Sequence, residues 1–250
     1  MPITKTNGNM YENWVDYCWS PLIGGCLHQC TYCYCKSMLK RFGKEWTDMP
    51  HWASDCITEN IRDCVRLPKL PIGKIFVCHT TDLFAENVPA EWIESILEHC
   101  WQSWCNNNEM SFVIQTKNPA RLKEFTYIFE RFPDNALMFG ITMETNRGTQ
   151  GISNAPHPMV RISDFRQFIK ATGYQSFVTI EPIIDPDTLS FVSQLDALHP
   201  DLIWIGADSK RSNLPEPSPE KIVELIKELE QFAEVRLKKN LNRLLPRKRG

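Results

Sequence analysis

SFVIQTKNPARLKEFTYIFERF, from Ser111 to Phe132, passes from strand to helix through a polar corner. Ser111–Thr116 is rich in β-branched and aromatic residues, the composition that suits a pleated strand. Asn118 then offers a helix cap, and Pro119 fits the first helical position, where its missing N–H costs nothing. The same order recurs along the chain. Further strands are read at KIFVC (Lys74–Cys78), ALMFGIT (Ala136–Thr142), SFVTIE (Ser176–Glu181) and DLIWIG (Asp201–Gly206). Trp14–Ile23 reads as a first strand and AEVRL (Ala233–Leu237) as a last one. Helices are expected from Pro89, with Trp92, Ile96 and His99 or Cys100 on one face, and from Ser218-Pro219, with Ile222, Leu225, Ile226 and Leu229 in register. His51–Leu67 reads as a helix inserted between the first two strands. Alternating strands and helices with short connections predict an α/β fold with parallel strands and helices outside. Six or seven such units fall short of a closed eightfold barrel. The expectation is a single-domain partial (β/α)6–7 barrel over residues 1–241 with a basic tail at 242–250, an open sheet being the alternative. Either fold gathers its chemistry at the C-terminal ends of the strands.

The 250 residues are 42% hydrophobic and 23% charged, ordinary for a water-soluble globular chain. No run approaches the roughly 18 apolar residues of a membrane span, and MPITKTNGNM lacks the apolar core of a secretory signal. A cytoplasmic setting is therefore expected, and a reducing compartment disfavours disulfides among the ten cysteines. Cys56, Cys64, Cys78, Cys100 and Cys105 read as small buried hydrophobes. The net charge of −2 hides an asymmetry, since every ionisable side chain from Arg236 onward is basic. Such a segment suits a phosphate backbone or a solvated tail.

Three thiols crowd into CLHQCTYC, Cys26 to Cys33. Zinc takes four ligands, usually as two separated pairs, and no second C-x-x-C pair exists. A fourth ligand from Cys35, His28 or Cys18 keeps zinc open. A cubane iron–sulfur cluster explains three thiols better, because they fix three irons and leave the fourth free to bind a reactant.

Polar motifs follow each strand: HTTDLF (His79–Phe84), QTKNP (Gln115–Pro119), GITMETN (Gly140–Asn146), IEPIID (Ile180–Asp185), IGADSK (Ile205–Lys210) and LKKN (Leu237–Asn240). The Cys-x3-Cys-x2-Cys spacing with Tyr32 before the last cysteine resembles the signature of the radical S-adenosylmethionine (SAM) enzymes. With the later motifs in order, the chain resembles a phage- and bacteria-associated radical SAM family of unknown function from about Trp14 to Leu241, and more distantly spore photoproduct lyase. IGADS lacks a second glycine seen in relatives, and the entry to the cysteine loop is altered.

The resemblance implies a partial barrel of the radical SAM type and an oxygen-sensitive enzyme. Cys26, Cys30 and Cys33 would hold a [4Fe–4S] cluster that cleaves SAM to a 5′-deoxyadenosyl radical, which abstracts hydrogen from a substrate. It implies an external electron donor such as flavodoxin or ferredoxin. Tyr32 would seat the adenine, with Thr81, Lys117 and Thr142 on the methionine and ribose of SAM. An ammonium beside the SAM carboxylate is charge-complementary, and hydroxyls bridge polar cofactor atoms. Asp82 and Glu144 are candidate acceptors for the SAM ammonium or a ribose hydroxyl, or else structural ion pairs. Glu181 and Asp208 are candidate cavity acids, Cys35 a candidate hydrogen donor, and Lys238 and Lys239 candidate contacts for a substrate phosphate. The basic end and the family likeness favour a nucleotide or nucleic-acid substrate. The alternatives are a non-enzymatic iron–sulfur or zinc nucleic-acid-binding sensor, and a relative that binds SAM without cleaving it.

Overall fold

Side chains alternate across a curved sheet and divide the core into two apolar clusters, one on each face. The structure is a computed structural model that describes residues 3–6, 11–41, 43, 46–47, 49–53, 67–210 and 212–246. The chain opens with β1 (Thr4–Lys5), a 3-10 turn at Tyr11–Asn13, β2 (Tyr17–Trp19) and β3 (Leu22–Ile23). After α1 (Tyr34–Arg41), β4 (His51–Trp52) pairs back antiparallel on β3. Strand and helix then alternate: β5 (Lys74–Val77), α2 (Ala90–Asn106), β6 (Ser111–Thr116), and a 3-10 stretch (Pro119–Phe125) running into α3 (Thr126–Phe129). They are followed by β7 (Leu137–Thr142), α4 (Pro158–Thr172), β8 (Gln175–Ile180), α5 (Thr188–Asp196), β9 (Leu202–Ile205), α6 (Pro219–Leu229) and β10 (Glu234–Leu237). The main sheet has the order β1-β2-β5-β6-β7-β8-β9-β10, with β1 antiparallel and the rest parallel.

Period-two alternation sends Ile75 and Val77, Phe112 and Ile114, Leu137, Phe139 and Ile141, Val178 and Ile180, and Ile203 and Ile205 toward the helices. The intervening residues Cys18, Phe76, Val113, Phe177 and Trp204 join Tyr11 in the inner cluster. That cluster fixes the curvature. The Tyr11 ring lies 5.6 Å from Phe76 on β5 and 5.3 Å from Trp204 on β9, centroid to centroid. In a flat sheet those strands would stand about 19 Å apart at the usual interstrand spacing. One tyrosine touches both only because the sheet curls around it. Gly140 makes room inside, since a Cβ there would fall 2.2 Å from Cζ of Phe177.

Several boundaries differ from expectation. Trp14–Ile23 is not one strand: β2 stays in the main sheet, and β3 leaves to pair with β4. The helix expected over His51–Leu67 begins instead as that strand, and residues 54–66 lie outside the described residues. The segment from Pro119 is a 3-10 stretch for seven residues before its short α turn. On α2 the buried stripe is Ile93, Ile96, Leu97 and Cys100, while Trp92 packs against Trp52. The strand at Ala233–Leu237 forms as β10, parallel to β9. Beyond it, Leu244 and Leu245 pack on the core, Arg243 pairs with Glu216, and 247–250 lie outside the described residues. Among the described residues no helix is long and apolar enough to cross a membrane.

Candidate functional site

The parallel strands end around a cavity of about 440 Å³. Cys26, Cys30 and Cys33 line one wall with Tyr32, and Thr81, Asp82, Lys117 and Thr142 line the wall beside them. Cys35, Glu181 and Asp208 line it too, as does Lys238, whereas the neighbouring Lys239 does not. Glu144 sits behind the wall, fully buried.

The cysteine loop is pinned from two sides. Thr31 N–H donates to the Ile152 carbonyl at 2.9 Å and Asn154 N–H to the His28 carbonyl at 2.7 Å, so the β7–α4 connection forms one flank. Thr81 Oγ1 donates to the Gly24 carbonyl at 2.9 Å, and Asn87 Nδ2 to that of Gly25 at 3.1 Å. From the β7–α4 connection too, Ser153 Oγ lies 3.1 Å from Cys30 Sγ. Hydrogen bonding from Cys35, then the backbone N–H groups of Lys36 and Cys35, holds the Cys33 thiol down to about 6 against its burial. Cys33 immediately precedes α1, where free N–H groups favour a thiolate. Burial pushes Cys26 up to about 12. Hydrogen bonding to Cys33 and burial hold Cys35 well above the ordinary thiol range.

Among the described residues, no three His, Cys, Asp or Glu side chains converge as a shell for one metal ion. His28, the candidate fourth zinc ligand, has its Nε2 2.8 Å from Asp82 Oδ2.

Behind the cysteine loop stands a buried ionic chain. Arg161 Nη1 donates to Glu144 Oε2 at 2.8 Å and to the Thr142 carbonyl at 2.6 Å. Glu144 Oε1 accepts from the Tyr32 hydroxyl and faces Lys117 Nζ at 3.5 Å. Lys117 Nζ also lies 5.6 Å from the centroid of the Tyr32 ring. Burial would raise the Glu144 carboxyl, but Arg161, Lys117 and Tyr32 bring it down to about 2. Burial disfavours the Lys117 ammonium, yet Glu144 and its other anionic neighbours keep it above its usual range.

Asp82 is engaged inside the protein. It accepts from His28, from Lys117 N–H at 2.7 Å and from Phe84 N–H at 3.0 Å. Burial opposes its charge, but these donors hold it below the ordinary carboxylate range. Thr142 Oγ1 accepts from Gln115 Nε2 at 2.7 Å, and Gln115 Oε1 accepts from the Tyr11 hydroxyl.

On the far wall Glu181 receives Lys238 Nζ and, at 2.7 Å, Asn240 Nδ2. Gly206 permits this, because a Cβ there would stand 2.7 Å from Glu181 Oε1. Asp208 accepts from Lys210 N–H at 2.9 Å and from Ser212 N–H. Lys238 Nζ lies 4.1 Å from the Tyr11 ring centroid. His79, also on the cavity, is bonded through Nδ1 to Ser20 Oγ at 2.8 Å, and burial lowers it to about 4.

Sequence reading passed over Tyr11, Gln115, Thr179, His79 and Arg161. Gln115 and Thr179 were within its reach, since they share the inner face of their strands with Val113 and Phe177. Tyr11 was not, because it sits at φ 48° in a turn outside any strand pattern.

A family model described as "Protein of unknown function (DUF5131)" matches residues 10–215. No curated protein matches the chain. Two crystal structures of Streptococcus suis SuiB are similar to it at low identity. The one bound to S-adenosylmethionine aligns at 7% identity and a TM-score of 0.46, over 66% of this chain and 39% of that one. The other aligns at 9% identity and a TM-score of 0.49, over 88% and 48%. The chain thus spans less than half the length of either.

Proposed function

We propose that this chain, which belongs to the DUF5131 family of proteins of unknown function, is a radical SAM enzyme. The observation that carries the reading is one of placement. The Cys26–Cys30–Cys33 triplet opens on the same cavity as Tyr32, Lys117 and Thr142, although these residues are distributed over more than a hundred positions of sequence. We read the curled parallel sheet as the partial barrel that such an enzyme uses.

The residues fit a [4Fe–4S] cluster by donor chemistry, since three thiols line the same cavity wall. When bound, that cluster supplies the electron that splits SAM into methionine and a 5′-deoxyadenosyl radical. The protein's own share is positioning and shielding. Lys117 presents its ammonium to the SAM carboxylate, Tyr32 offers its ring to the adenine, and Thr142, oriented by Gln115, faces a ribose or methionine polar atom. Asp82 and Glu144 act one step back, holding His28, Lys117 and Tyr32 in place. Cys35, Glu181 and Asp208 remain on the substrate side, Cys35 as the candidate hydrogen donor. Lys238, at the cavity end of β10 and paired with Glu181, is the candidate contact for a phosphate-bearing substrate, a nucleotide or nucleic acid. The electron comes from an external carrier such as flavodoxin or ferredoxin.

The test is anaerobic reconstitution with iron and sulfide, reduction with dithionite, and quantitation of 5′-deoxyadenosine and methionine from SAM. Tight zinc in a closed four-ligand shell without SAM binding refutes the reading and favours a structural or sensor role for the cysteines.

A further inference from the structure

Arg161 and Glu144 are both fully buried, and neither lines the cavity. A buried ion pair is a poor investment in stability alone, since well-packed apolar residues often do as well or better. Arg161 is a costly guest by a second measure: its Nε and Nη2 find no hydrogen-bond partner among the described residues. What the pair does is geometric. One guanidinium nitrogen, Nη1, grips both the end of β7 through the Thr142 carbonyl and the carboxylate of Glu144. The other carboxylate oxygen holds Tyr32, which sits between Cys30 and Cys33, and faces Lys117 just past β6. The cysteine loop, β6 and β7 are therefore tied together at Glu144, and Arg161 fixes that tie from α4.

We propose that Arg161 is a positioning residue for the cofactor, setting through Glu144 where the Lys117 ammonium and the Tyr32 ring meet SAM. The proposal rests on the function assigned above. Without Arg161, Oε2 of Glu144 loses its donor and Lys117 becomes the carboxylate's only cation. Lys117 is then drawn out of the cavity and toward Glu144. Cofactor binding weakens even though no residue touching the cofactor has changed.

The test uses the full chain with a reconstituted cluster. The SAM dissociation constant is measured by equilibrium dialysis, with iron content and thermal unfolding on the same samples. Arg161→Met is expected to weaken SAM binding at least tenfold with iron content unchanged, and Arg161→Lys to recover most of the loss. A merely structural arginine would lower the unfolding temperature in both variants and leave SAM affinity at the wild-type value, which overturns the proposal. If Arg161→Met does not fold, Glu144→Gln decides. Glu144→Gln can keep the Tyr32 contact while losing the charge that steadies Lys117, so a tenfold weaker affinity supports the proposal. Unchanged affinity overturns it. If the unaltered protein fails to bind SAM, the function reading falls and this inference with it. Binding by the unaltered protein but no effect in the variants removes this inference alone.

Discussion

Replacing Lys117 with methionine separates the cofactor contact from the scaffold that holds it. Removing one member of a buried ion pair usually costs about 3–5 kcal/mol, because the other charge is stranded. Glu144 is not stranded here, since Arg161 remains at 2.8 Å on Oε2 and Tyr32 still donates to Oε1. Methionine also relieves the burial penalty of the ammonium. The folding loss should therefore be on the order of 1 kcal/mol, well below the range for a stranded charge. The binding loss should be larger. A hydrogen bond to a charged partner contributes roughly 1.5–3 kcal/mol, which is about ten- to a hundred-and-fiftyfold in SAM affinity. Equilibrium dialysis on the reconstituted protein reads the second quantity, and urea denaturation of the cluster-free chain reads the first. Wild-type SAM affinity in Lys117→Met, with full iron content, would refute the placement of the carboxylate. A folding loss of several kcal/mol would refute the claim that Arg161 suffices for Glu144.

Cys30→Ala should abolish cluster absorption and SAM cleavage, whereas Cys35→Ala should retain the iron. Iron and sulfide quantitation on the two proteins checks both, and an iron-free Cys35→Ala would make Cys35 a ligand. His79 is held down to about 4 by burial against 6.5 when free, so the unfolded chain takes up its proton first as pH falls. Its contribution to stability is therefore complete above about pH 6.5 and declines toward pH 4. Urea midpoints at several pH values should show a shallower decline in His79→Gln, and an unchanged slope would assign the decline to other groups. Glu181→Gln and Asp208→Asn should leave the rate of SAM cleavage near the wild-type value, since both carboxylates are already held by protein donors. A tenfold or greater loss in either variant would place that residue in the cleavage step.

The strands were legible because each is a short apolar run ended by a polar motif. Helices were less so. Arg161 lies on α4, a helix with a weak apolar stripe because Arg161 itself occupies a buried position. A buried arginine breaks the very pattern by which a helix is recognised. The tyrosine plug was hidden for a different reason: Tyr11 is local to no strand, and only the curvature of the sheet gives it partners on β5, β6, β8 and β9. Sequence offered Asp82 and Glu144 as cofactor contacts or structural ion pairs and left the choice open. Burial and donor geometry, which no spacing encodes, show both bonded to groups of the protein itself.

That distinction bears on the kind of chemistry the cavity suits. The charged side chains lining it are Asp82, Glu181 and Asp208 against Lys117, Lys210 and Lys238, so acids and lysines balance. Each of those acids already accepts from protein donors, and Asp82 is held below the usual carboxylate range rather than poised above it. General acid–base catalysis asks for the reverse, a carboxyl or imidazole tuned toward neutral pH and within reach of a transferred proton. Hydrogen-atom abstraction moves a proton and an electron together and develops little charge. It gains nothing from a poised acid, so the reaction proposed above asks nothing of these carboxylates that their hydrogen bonds deny.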